Sequence, residues 1–172
     1  INSIKDFSKY KGLPDERINC IKADGEDRIW FGTQSGYVGY ILQNEVFYSE
    51  EDHKKIKSAV KSISIDGLNR LWIATEGNGV LFSTLTDEFI TFNGFGTSDG
   101  LNNANVYLIK ADAQNHIWAG AGSGIDEIVV SDKNELLYIK HYGKNEGFLG
   151  GETCSNSVTI DNLGKMWIGT LD

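Results

Sequence analysis

Two residue types, repeated in step, carry most of the chemistry open to this sequence. Tryptophans stand at Trp30, Trp72, Trp118 and Trp167, and six positions before each stands an aspartate: Asp24, Asp66, Asp112 and Asp161. Carboxylates in such a set could ligate calcium, and indole rings could stack on sugars. No D-x-D-x-D-G loop is present, however. The fixed phase favours a structural role for both types, with each aspartate capping a tight hairpin by accepting backbone N–H bonds and each tryptophan packed in a core. Asp24-Gly25-Glu26-Asp27 is the most acidic turn and the one worth testing for a cation.

Catalytic groupings are harder to find. The histidines are His53, in a charged loop, His116, at the position that Arg or Lys holds in other repeats and so read as a solvated turn residue, and His141, between Lys140 and Tyr142. A general base needs a nucleophile or an oriented acid within hydrogen-bond reach, and nothing in the linear sequence groups such residues. Serine nucleophile elbows, phosphate loops and zinc spacings are absent. No catalytic residue, metal site or cofactor is assigned. Cys20 and Cys154 lie 134 residues apart and match no metal or redox spacing. Two free thiols are the favoured reading over a disulfide.

The elements that must position these residues follow from composition and repeat. The chain has 172 residues, 40% apolar and 23% charged, in the range of a soluble globular protein. No stretch approaches 18 uninterrupted apolar residues. A net charge of −8 argues against a nucleic-acid partner. Twenty glycines and nineteen aromatic residues against one proline are the composition of an all-β protein. The tryptophans are separated by 42, 46 and 49 residues, and the phase holds around them. An Ile, Leu or Met precedes each one, and Gly32, Ala74, Gly120 or Gly169 follows two positions on. Ile21, Ile63, Ile109 or Val158 lies three before each aspartate.

Each unit reads as four short strands. The first gives INCIKAD, RIWFGT, YVGYIL and VFYS. The second gives VKSISID, LWIAT, VLFSTL and FITF, and the third VYLIKAD, HIWAG, IDEIVV and LLYIKHY. EDHKKIKSAVKS is read as a loop or short turn. Units of 40–50 residues with four strands each predict β-propeller blades, since a four-stranded sheet has two apolar faces and covers both only by stacking on neighbours. The tryptophan becomes the plate between blades, and the small residue after it leaves room for the adjacent blade. The organisation expected is one propeller segment: 1–17 as the last strand of a preceding blade with its loop, blades at 18–57, 58–104 and 105–150, and the first half of a further blade at 151–172. Opening at Ile1 with no charged-then-apolar leader, the chain reads as a processed or excised piece of a larger ring.

INCIKADGEDRIWFGTQSG, VKSISIDGLNRLWIATEGNG and VYLIKADAQNHIWAGAGSG, with the preceding GLPDERI and GLNNANV, resemble the two-component regulator propeller repeat. Departures are EDHKKIK in place of a Gly-Leu loop, Ala121 where Thr is usual, and two extra residues in the last loop. The resemblance implies an extracytoplasmic, periplasmic sensor segment of a membrane-anchored histidine kinase or hybrid two-component protein. It also implies an oligosaccharide or other small-molecule ligand, the remaining blades and sensor domains of the same protein as partners, and support for a homodimer. The alternatives are a propeller enzyme of the streptogramin-lyase type and a purely structural interaction module. A ligand would sit on the inter-blade loops, where the candidates are Tyr37, Phe95, Asn103, Asn105, Tyr107, Glu152 and Asn156.

Overall fold

β-Branched and aromatic runs punctuated by Gly, Asn and Asp fold into antiparallel strands in the computed structural model, which describes residues 12–48, 56–85 and 91–171. The first sheet holds β1 (Ile18–Ala23), β2 (Ile29–Thr33), β3 (Val38–Leu42) and β4 (Glu45–Tyr48) in that order. The second holds β5 (Val60–Ile65), β6 (Arg70–Thr75), β7 (Val80–Thr84) and β8 (Asn93–Phe95), and the third β9 (Leu108–Ala111), β10 (Ile117–Ala121), β11 (Gly124–Val130) and β12 (Leu136–Tyr142). A two-strand sheet follows, β13 (Thr153–Ile160) with β14 (Met166–Thr170). The first strands converge, with β5 beside β1 and β9, and β13 beside β9 and β5. This is the blade arrangement of a β-propeller. The opening strand, His53 and Phe89–Ile90 fall outside the described residues.

One local device recurs at every first hairpin. Each aspartate Oδ1 accepts the backbone N–H groups two and four residues on: Glu26 and Arg28 on Asp24, Leu68 and Arg70 on Asp66, Gln114 and His116 on Asp112, Leu163 and Lys165 on Asp161, at 2.8–3.1 Å. This turn puts its fourth residue at positive φ, and Asp27, Asn69, Asn115 and Gly164 stand there, the types that accept that conformation most readily. Oδ2 of the same carboxylate accepts the indole N–H of the tryptophan, at 2.8 Å for Trp30, 2.9 Å for Trp72, 2.8 Å for Trp118 and 2.9 Å for Trp167. One carboxylate thereby fixes both the hairpin and the ring of the next strand.

Those rings build the core. Trp30 packs with Val38 on Ile63, Leu71 and Ile73 of the second sheet, and Trp72 with Phe82 on Ile109, Ile117 and Ile128 of the third. Trp30 and Trp72 thus each face the sheet that follows. Trp30 and Trp72 are 1% and 0% exposed; Trp118, facing the two-strand sheet, is half-buried; Trp167, with no further described sheet beyond it, is 53% exposed. Gly32 is required where sheets meet, because a Cβ there would lie 2.9 Å from Cys20 Sγ and closer still to Val60 of the second sheet. Among the described residues, the fourth strand of the second sheet is Asn93–Phe95, and Thr91 and Phe92 of the FITF run precede it. Pairing of Phe95 with Val80 sets Phe95 against Phe82 at 5.4 Å and Trp72 at 6.4 Å.

Arg70 completes the buried version of the device. Its Nε donates to Asp66 Oδ2 at 2.6 Å and its Nη1 to Ser131 O of the third sheet at 3.0 Å, while its guanidinium lies 5.5 Å from the Trp72 ring centre. Removing Asp66 would strand a buried cation and an indole N–H. Asp66→Ala is therefore expected to cost about 3–5 kcal/mol, on the order of 10 °C in Tm for a chain of this size. Asp161→Ala, at the exposed copy, should shift Tm far less. Thermal unfolding of both variants by circular dichroism checks the contrast, and equal losses would count against it.

Candidate functional site

The loop-facing end of the first strands gathers polar side chains. β1 and β5 both begin with an irregularity in pairing, between Ile18 and Cys20 and between Val60 and Ser62, and β13 carries one between Thr153 and Val158. Such bulges re-aim the side chains they contain. The residues concerned are Asn19, Lys61 and Asn156, and Tyr107 precedes β9 at the same phase. All four lie five positions before a repeat aspartate.

Two neighbourhoods result. In one, Asn19 Nδ2 donates to Gln34 Oε1 and to Val60 O, each at 3.1 Å, and Asn156 Nδ2 donates to Asn19 O at 3.4 Å. Arg17, Asn19, Gln34, Lys61 and Ser155 line a recess of about 90 Å³ there. In the other, Lys61 Nζ pairs with Glu76 Oε2 at 2.6 Å, and Glu76 bridges in antiparallel fashion to Asn105. Tyr107 shares that environment. Burial, then the carboxylate of Glu152, which also accepts its hydroxyl hydrogen, and then Glu76 push its phenol above the ordinary value. Amides, carboxylates, a phenol and a cation thus converge on one rim held by rigid sheets, able to donate to and accept from a hydroxyl-rich ligand.

Of the residues singled out from sequence, Asn105, Tyr107, Glu152 and Asn156 lie in this rim. Asn103 shapes the adjoining loop, its Oδ1 accepting the Asn105 N–H at 2.8 Å. Tyr37 sits edge-on to Tyr48 at 5.3 Å in the first sheet. Phe95 is half-buried, its ring stacked on Phe82 and Trp72 at the edge of the core. Asn19, Lys61 and Glu76 were missed. The first two were findable, because counting back five from each aspartate would have linked them with Tyr107 and Asn156.

Two histidines are paired where the linear sequence grouped nothing. His141 Nδ1 lies 2.7 Å from Asp126 Oδ1, and Asp126 Oδ2 accepts the Asn102 N–H at 2.9 Å. His116 Nδ1 lies 2.8 Å from Glu127 Oε1, whose other oxygen accepts the Tyr142 hydroxyl at 2.9 Å. His116 is thus tied into the third sheet and is not simply solvated. No hydroxyl nucleophile hydrogen-bonds either ring among the described residues. In the acidic turn, both Asp24 oxygens are engaged. Burial raises its carboxyl, but the Trp30 indole, Arg28 and the backbone N–H groups of Glu26 and Arg28 outweigh that and hold it below the ordinary value. Arg28 Nη2 lies 2.9 Å from Glu26 Oε2, charge-paired though out of line for a hydrogen bond. No cluster of three metal-ligating side chains occurs among the described residues.

Both cysteines are free. Cys20 is buried, and burial pushes its thiol up to about 12 against a smaller lowering by a backbone hydrogen bond from Gly32. A thiolate is the reactive species, so native protein at pH 8 should titrate one thiol with a disulfide reagent, Cys154, and two after denaturation. Two rapid equivalents in the native state would contradict this packing.

Comparison with known proteins agrees with the repeat and the fold. Residues 12–35, which hold the first of the four repeats, match the family model described as "Two component regulator propeller". No curated protein matches the chain. Among solved structures, it is similar to one described as the extracellular domain of a hybrid two component system from B. thetaiotaomicron, with TM-score 0.79 and 24% identity over 98% of this chain and 22% of that one. Virginiamycin B lyase from Staphylococcus aureus gives TM-score 0.65 and 16% identity over 92% of this chain and 50% of that one. A gluconolactonase from Xanthomonas campestris gives 0.59 and 12% over 91% and 56%. The chain therefore spans about a fifth of the first of these proteins and about half of the other two. At these identities the likeness is one of fold.

Proposed function

We propose that this chain is a ligand-sensing, non-catalytic propeller segment of a two-component sensor on the extracytoplasmic side of a membrane, responding to an oligosaccharide or another polyhydroxylated nutrient. The observation that carries the reading is the rim built from Asn19, Lys61, Tyr107 and Asn156 with Glu76 and Glu152. It offers donors and acceptors to hydroxyls, and each side chain hangs from the end of a strand that a buried core holds still. The regulator-type repeat at residues 12–35 and the likeness to a sensor's extracellular domain support the setting. The remaining blades and domains of the same protein would be its covalent partners, and two such sensors would form the homodimer that passes the signal on.

A propeller enzyme is the second reading, and the His141–Asp126 pair is what favours it, since a carboxylate at Nδ1 orients an imidazole whose other nitrogen can act as a base. The two readings separate in one experiment. A thermal-shift screen of the chain against neutral oligosaccharides should find at least one that raises Tm, by an amount equivalent to about 2.7 kcal/mol at a hundredfold excess over Kd. Tyr107→Phe and Glu152→Gln should weaken that response. An unchanged response in both variants would remove the rim as the site. Turnover of the bound compound that disappears in His141→Ala would overturn the non-catalytic reading.

A further inference from the structure

Between the converging first strands lies a cavity of about 520 Å³, lined from β1, β5, β9 and β13. Its charge is opposite to that of the molecule. The chain carries −8 overall, yet no Asp or Glu lines this space, and its charged groups are the ammonium groups of Lys22 and Lys110. Neither lysine forms an ion pair with a described residue. Both stand two positions before a repeat aspartate, as does Ser64, so the three occupy one level of the axis. Burial, and then the charge of Lys22, hold the Lys110 amine below its ordinary value, as expected for two like charges meeting in a partly dry space.

Hydroxyls complete the lining. Ser64 Oγ accepts the Ala111 N–H at 3.0 Å, which leaves its own hydrogen to donate. Ser62, buried in the same wall, adds a second hydroxyl to the lining. Ile63, Ile109 and Val158 supply apolar surface around these groups. The arrangement has donors and positive charge and lacks a counter-charge. An anion placed between the ammonium groups would replace a repulsion with two charge-assisted hydrogen bonds.

We propose that the axial cavity binds a sugar-sized molecule bearing a sulfate or carboxylate group, with Lys22 and Lys110 clamping the oxyanion and Ser62 and Ser64 donating to it. The volume supports this size, since cavities of roughly 300–1,000 Å³ hold small organic ligands and a bare inorganic anion would leave most of the space unfilled. The site adjoins the loop-end rim, sharing Asn19 and Asn156 with it, and does not rest on the reading given for that rim, because its clamp uses lysines outside it.

The test is calorimetric titration of the chain at low ionic strength with four probes: sodium sulfate, glucose, glucose 6-sulfate and glucuronate. Glucose 6-sulfate or glucuronate should bind and glucose should not. Lys22→Gln and Lys110→Gln should each weaken binding about tenfold or more, while Lys165→Gln, the same charge change at the exposed fourth hairpin, should leave it unchanged. Without ligand, Lys110→Gln should raise Tm, because one of two mutually repelling charges is gone; this readout also confirms that the variant folds. Glucose binding as well as its sulfate, no binding by any probe, or equal weakening by Lys165→Gln would overturn the proposal. Sulfate binding as tightly as glucose 6-sulfate would overturn its sugar-sized part.

Discussion

A single carboxylate, shared between a turn and an indole ring, is the constraint from which the rest of this architecture follows. One oxygen closes the hairpin through two backbone N–H groups, and the other takes the indole N–H of the strand the hairpin leads into. The ring then has one orientation, lying flat toward the next sheet, where it supplies the largest apolar surface of the interface. The third partner of the carboxylate varies with surroundings. Arg28 and Arg70 donate to it in the first two sheets, where the ring is buried. In the third sheet His116 has turned to Glu127, and in the fourth Lys165 lies over the exposed Trp167 ring at 4.4 Å. The invariant part is the bond from indole to carboxylate, and the cation adjusts to the local depth of burial.

Much of this was legible because the repeat is a physical period as well as a textual one. Recurrence of Asp and Trp six apart places the same hairpin in four sheets, and runs such as RLWIAT and IDEIVV can satisfy their alternation only as strands between packed faces. Other features were not legible for definite reasons. The indole–carboxylate bond was missed because a capping role already accounted for the aspartate, and a six-residue separation across a hairpin does not advertise side-chain contact. The strand at Asn93–Phe95 carries Phe95 into an aromatic stack with Phe82 and Trp72, a tertiary contact that local pattern does not carry. Phe95 was offered as a loop aromatic for the same reason. The pairing of His141 with Asp126 joins strands fifteen residues apart and depends on their register.

The candidate site was half legible. Tyr107, Asn156, Glu152 and Asn105 followed from the rule that loops on a rigid scaffold carry function. Asn19 and Lys61 did not, since each looks like an ordinary strand residue until a bulge turns it toward the rim. The division of labour is then clear in structural terms. Apolar plates between sheets hold the frame, the bulged strand ends present polar groups on one side, and the convergence of the first strands creates an axial space whose charge differs from that of the surface.

The central claim is that the four indole N–H groups are held by carboxylates, and amide-type hydrogen exchange of the indole Nε1–H signals followed by NMR tests it most directly. Hydrogen-bonded, buried Trp30 and Trp72 should exchange slowly, Trp118 at an intermediate rate and Trp167 fastest, with Asp24→Asn accelerating the Trp30 signal above all others. Uniformly fast exchange at Trp30 and Trp72, or a Trp30 rate untouched by Asp24→Asn, would contradict the account.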